Sequence, residues 1–130
     1  MKKSMLMMAI AAIAMIGCGP KAAQEKAEGA ENAEKAPIRI NCLVKVTPEN
    51  RDAVIALSKE LVDSSRTDAG NIDYDLYESA NDPSKLIIFE TWEDQASLDA
   101  HAAAEHSKQH IENTKGLSES KLEKFLLPEE

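Results

Sequence analysis

A chain of 130 residues with 15 Lys and Arg against 23 Asp and Glu has room for one domain, and its net charge of −8 excludes the basic face that a nucleic acid or an anionic lipid surface would need. With 43% hydrophobic and 29% charged residues, at least part of the chain has the composition of a globular protein. The average conceals an uneven layout. The Met residues stop at Met15, whereas the aromatic residues (Tyr74, Tyr77, Phe89, Trp92 and Phe125) all lie beyond position 70.

Lys2 and Lys3 form a positive start, and Met5 to Ile16 is an uncharged apolar run. A helical membrane span needs about 20 apolar residues, so this run is too short to cross a bilayer and fits the apolar region of a secretory signal peptide. It ends at Met15-Ile16-Gly17-Cys18, which resembles a bacterial lipobox. The resemblance implies that residues 1–17 are a lipoprotein signal peptide and that Cys18 is the lipid attachment site. Gly19 rather than Asp after that Cys implies, by enterobacterial sorting, the outer membrane, with the protein facing periplasm or cell surface. Contact with the membrane is then expected through the lipid anchor only. Residues 18–37 are expected to be the lipidated Cys and a flexible linker. Positions 19–37 hold Ala, Glu and Lys with no aliphatic residue larger than Ala, too little apolar surface to offset the entropy of ordering. With Cys18 acylated, Cys42 is the remaining thiol and no internal disulfide is available; its apolar surroundings make it a core thiol.

Residues 38–130 read as the folded domain. Ile38 to Val46 alternates and is rich in β-branched residues, so it predicts a strand. Thr47-Pro48 predicts a helix start, with Val54, Leu57 and Leu61 at helical spacing and Gly70 closing the unit. Ile72 to Ser79 alternates as a second strand, with Tyr74 in register with Ile72 and Leu76. Asn81-Asp82-Pro83-Ser84 predicts a turn, and Lys85 to Trp92 a third strand hairpin-paired to the second. Asp94 caps a second helix through about His106, extending with a break towards Asn113 and stopped by Gly116; Lys121 to Leu127 is the last strand. The fold class is therefore α+β, with the βαββαβ order of a ferredoxin-like fold. One helical layer covers one sheet face. The third strand is apolar on both faces, so a homodimer packed sheet to sheet is expected.

Gly70-Asn71, Tyr74-Asp75-Leu76-Tyr77, Asn81-Asp82-Pro83, Phe89-Glu90-Thr91-Trp92, Ala100-His101 and Glu105-His106 together resemble the antibiotic biosynthesis monooxygenase (ABM) family, quinol monooxygenase type. The resemblance spans essentially the whole domain and implies a dimeric α+β barrel. It also implies oxygenation of a quinol or related electron-rich aromatic by O₂, with no cofactor and no metal. Two positions depart from the pattern. Ser107 follows His106 where an aromatic residue is usual, and Glu105 precedes it where Pro is frequent, so the pocket rim is more polar.

Such chemistry needs a base for the phenolic proton and a pocket shielded from water. His101 and His106 match the two family His and are the candidate catalytic residues, each with a purely structural role as its alternative. Trp92 and Tyr74 are candidate substrate-binding residues. Asn41 joins them because haem-degrading relatives place an Asn there with a Trp and a His; its alternative is a polar strand residue. Glu90 is expected to pair with a cation or cap a chain end, and His110 to lie at the surface. His106 and His110 have metal-ligand spacing, but no third ligand stands near in sequence and the Glu of HExxH is lacking, so no metal is expected. The alternatives are a non-enzymatic small-ligand-binding dimeric module, a His-dependent isomerase and a haem-degrading monooxygenase.

Overall fold

The computed structural model describes residues 35–128. The expected signal peptide, Cys18 and the linker up to position 34 lie outside the described residues. The elements are β1 (Ile38–Val46), α1 (Arg51–Ser65), β2 (Asn71–Glu78), β3 (Lys85–Trp92), α2 (Gln95–Ala103), α3 (Glu105–Thr114) and β4 (Ser118–Leu126). The strands form one antiparallel sheet in the order β2-β3-β1-β4, with the helices on one face. This is the ferredoxin-like α+β arrangement that the alternating runs predict.

Strand register decides which side chains reach the helices. Ile38, Ile40 and Val44 of β1 pair with Trp92, Glu90 and Leu86 of β3, and Tyr74 of β2 pairs with Glu90. All of these are buried, and the core they form closes on Val54, Ile55, Leu61 and Val62 of α1. The intervening residues, period two along each strand, occupy the other face. There Tyr77 is 53% and Phe125 46% exposed, Tyr77 meets Phe89 edge-on, and the Arg39 guanidinium lies 4.2 Å above the Phe89 ring.

Three boundaries differ from the sequence pattern. The α1 helix begins at Arg51 because Thr47 to Asn50 close a turn first, with Asn50 N–H donating to the Thr47 carbonyl at 3.1 Å. A register shift between Asn71 and Asp73 turns Ile72 outward, 56% exposed, so it does not share the Tyr74 face. The last strand starts at Ser118, earlier than its apolar run, because it pairs with β1 along its whole length.

Two glycines adopt φ +78°, Gly70 before β2 and Gly116 after α3. Gly70 is also a close approach: a Cβ there would land on the Ser97 hydroxyl in the first turn of α2. The α2 cap is Asp94, whose Oδ1 accepts the Ser97 N–H at 2.8 Å. The second helical segment breaks at Ala104, whose backbone is extended (φ −67°, ψ 149°) between α2 and α3.

Candidate active site

The break at Ala104 brings two imidazoles together. On a continuous helix His101 and His106 would point about 140° apart. Here their ring centroids are 5.5 Å apart, and both rings reach one oxygen. That oxygen is Asp68 Oδ2, in the turn between α1 and β2. It accepts from His101 Nδ1–H and from His106 Nε2–H, each at 2.8 Å. Asp68 is itself fixed by its backbone: its N–H donates to the Ser65 carbonyl, and its carbonyl accepts from Asn71 N–H.

With Nδ1 committed to Asp68, Nε2 is the remaining ring nitrogen of His101. It faces Glu90 Oε2 at 3.9 Å. The same Glu90 oxygen accepts the Trp92 indole N–H at 2.8 Å. The Trp92 ring in turn lies against the His101 ring, centroids 4.6 Å apart and planes 31° apart. Tyr74 packs on the imidazole at 5.3 Å, and Ser107 Oγ stands 3.3 Å from each ring nitrogen. His101 is thus enclosed by two aromatic rings, two carboxylates and a hydroxyl.

Burial controls the ionisation of this group. Glu90 is pushed above the ordinary carboxylate range by desolvation, which outweighs the Trp92 hydrogen bond and the nearby His101 charge. Tyr74 is raised first by burial and then by the Glu90 charge. Cys42 is pushed up to about 11 by burial, with Glu90 adding to the effect, so it stays a thiol.

His101, Glu90 and Tyr74 line a cavity of about 690 Å³ between the sheet and the helices. Its floor is otherwise Ile40, Cys42, Val44 and Ile88, and its roof includes Val54, Ser58 and Leu61 of α1. The mouth runs along β4, where Leu122 is 66% exposed. The volume suits a flat molecule of one to three rings.

The expected site residues divide accordingly. His101 and Tyr74 line the cavity. Trp92 does not: fully buried, it is a core ring that supports His101 and Glu90 from behind. His106 meets Asp68 and lines a smaller cavity of about 90 Å³ between α1 and α3. Asn41 is not part of the site. It is an odd-numbered residue of β1, paired with Phe89, and its side chain lies on the sheet face away from the helices. His110, expected at the surface, is half-buried and lines both cavities, and burial lowers its pKa.

Asp68 is the site residue that sequence reasoning missed, whereas Glu90, expected to pair with a cation or cap a chain end, faces the His101 imidazole. Asp68 sits in a turn, where no periodicity marks it. Glu90 shares the inward register of Ile88 and Trp92, and that parity could have placed it beside the pocket. Asp68, His101 and His106, a different set from the His106 and His110 pair weighed in the sequence, have ligand atoms within 4.8 Å of one another and could hold a cation. Their present geometry is that of hydrogen bonds. A transition metal would stand about 2.0–2.2 Å from each donor and would need the shared oxygen to give up both N–H partners.

Comparison with known proteins gives a consistent result. The family model described as antibiotic biosynthesis monooxygenase matches residues 37–113. "Uncharacterized protein sll1783" of Synechocystis sp. (strain ATCC 27184 / PCC 6803 / Kazusa) is 30% identical over 93 residues, 72% of this chain, which spans only 60% of that relative's length. "Putative monooxygenase YcnE" of Bacillus subtilis (strain 168) is 29% identical over 86 residues, covering 66% of this chain and 90% of the relative. A crystal structure of a conserved protein of unknown function from Bacteroides thetaiotaomicron VPI-5482, described as a possible oxidoreductase, superposes with a TM-score of 0.70 at 36% identity, over 72% of this chain and 99% of that one.

Proposed function

Because the chain belongs to the antibiotic biosynthesis monooxygenase family, we propose that it is a monooxygenase that oxidises a quinol or related electron-rich aromatic with O₂ and no bound cofactor. The observation that carries this reading is His101: an imidazole fixed by Asp68 through one nitrogen, with the other turned towards Glu90 on the wall of a cavity of aromatic size.

The chemistry follows from that geometry. His101 Nε2 takes the phenolic proton, and the nearby Glu90 carboxylate favours the imidazolium that forms. The phenolate passes one electron to O₂. The resulting radical pair combines, forming a carbon–oxygen bond and a peroxide anion on the ring, which takes back the proton held by His101. The freed imidazole of His101 takes the ring proton at that carbon as the O–O bond breaks, and it passes that proton to the departing hydroxide, which leaves as water. One oxygen atom stays on the ring as a quinone carbonyl, and the substrate supplies both electrons. The apolar cavity keeps water from the radical pair.

The reading extends to assembly and location. A homodimer would cover the outer sheet face, where Tyr77, Ile87 and Phe125 stand exposed. The apolar leader and Cys18 support a lipid-anchored protein of the outer membrane. Among the described residues, no helix is long and apolar enough to cross a membrane.

Oxygen uptake with menadiol tests the activity, with His101→Ala as the control. Loss of a general base predicts a fall of about 10²–10⁴-fold. Equal rates in both proteins would reject the reading.

A further inference from the structure

The buried stripe of α1 contains a chemical anomaly. It runs Val54, Ile55, Ser58, Leu61, Val62, Ser65, placing two hydroxyls where apolar side chains would pack. Ser58 is 1% exposed, and its Oγ has no hydrogen-bond partner. Ser65, the other hydroxyl, has the Tyr74 hydroxyl as its neighbour and lies outside the cavity lining. Ser58 is in that lining, between Val54 and Leu61 on the helical roof. A buried hydroxyl left without a partner carries a desolvation cost, which a ligand group at hydrogen-bond distance would remove.

Of the other polar groups on the chamber wall, His110 of α3 also has a buried unpartnered atom, Nδ1. Glu90 belongs to the sheet floor, and His101 and Ser107 are already hydrogen-bonded to one another or to Asp68. Ser58 alone faces them from α1. We propose that Ser58 is a specificity residue that reads a hydroxyl or carbonyl on the end of the ligand opposite the group held by His101 and Glu90. This rests on the aromatic-substrate reading above and narrows it to a flat apolar body with a hydrogen-bonding group at each end. A ligand with one such group leaves Ser58 unpaired, and that difference is the source of discrimination.

The experiment is anaerobic isothermal titration of the full chain with 1,4-dihydroxynaphthalene and with 1-naphthol, which lacks the second hydroxyl. One recovered hydrogen bond predicts that wild type binds the diol about tenfold more tightly. In Ser58→Ala the ratio falls to about one through weaker diol binding, while 1-naphthol binds as in wild type. Ser58→Thr, which retains the hydroxyl, restores the preference. Thermal melts establish that the variants are folded. A tenfold preference that persists in Ser58→Ala overturns the assignment, as does a wild-type ratio near one, and both leave the oxygenase reading standing. Failure of wild type to bind either probe takes down the aromatic-substrate reading itself and the assignment with it.

Discussion

His101 and Glu90 face each other at 3.9 Å in a buried wall, and each constrains what the other can do. Glu90 carries the clearer cost. A carboxyl whose folded-state pKa is raised retains a proton that the unfolded chain has already released. Its contribution to stability is therefore present below the ordinary value of 4.5 and is lost as pH climbs through the raised value. Glu90→Gln keeps an acceptor for the Trp92 indole and removes the ionisation. Its melting temperature is expected to exceed that of wild type at pH 7 and to converge with it below pH 4.5, as thermal melts across that range would measure. A variant that is less stable at pH 7 would mean that the ion pair with His101 outweighs desolvation. His101 and Tyr74 were legible because helical and strand periods put them on the inward face. Asn41 was misplaced although the alternation of Ile38, Ile40 and Val44 already put it outside. Asp68 was invisible because a turn residue carries no period.

The elements were legible for a different reason. Strand β1 alternates and β3 is a continuous run of large β-prone residues that starts at a turn cluster, so their ends agree with the pattern to the residue, Ile38–Val46 and Lys85–Trp92. Irregular backbone was not legible. Thr47-Pro48 carries the residues of a helix cap but is spent on a turn, and the bulge after Asn71 takes Ile72 out of register. Gly70 shows how such irregularity serves the site. Its positive φ and missing Cβ let the α1–β2 turn dock on the first turn of α2, and its carbonyl accepts the Glu93 N–H at 2.9 Å. Gly70→Ala must shift that turn. It is expected to destabilise the fold by about 1–3 kcal/mol in chemical denaturation. Oxygen uptake should fall more than the remaining folded fraction explains, because Asp68 moves with the turn. Unchanged denaturation and unchanged rate would show that Ser97 yields freely.

Among the described residues, the helices cover one sheet face and leave the other uncovered. Tyr77, Ile87 and Phe125 on that bare face predict self-association, and the leader predicts a membrane-bound product. Expressed with its leader in bacteria, the chain is expected to enter the detergent phase and to sediment as a dimer. Cys18→Ala is expected to move it to the aqueous phase with sedimentation unchanged, and Ile87→Lys to yield monomers that remain lipid-bound. A wild-type monomer, or detergent partitioning that survives Cys18→Ala, would refute the corresponding half. A last consequence follows from the single Asp68 oxygen that grips both imidazoles. It ties the α1–β2 turn to both sides of the helix break at one point, so the five-residue path from Ser65 to Gly70 behaves as a part of fixed gauge. Lengthening it by one residue would unseat two rings at once, whereas the hairpin tip around Asn81 holds neither ring and has latitude to grow, shrink or diverge in descendants of this sequence.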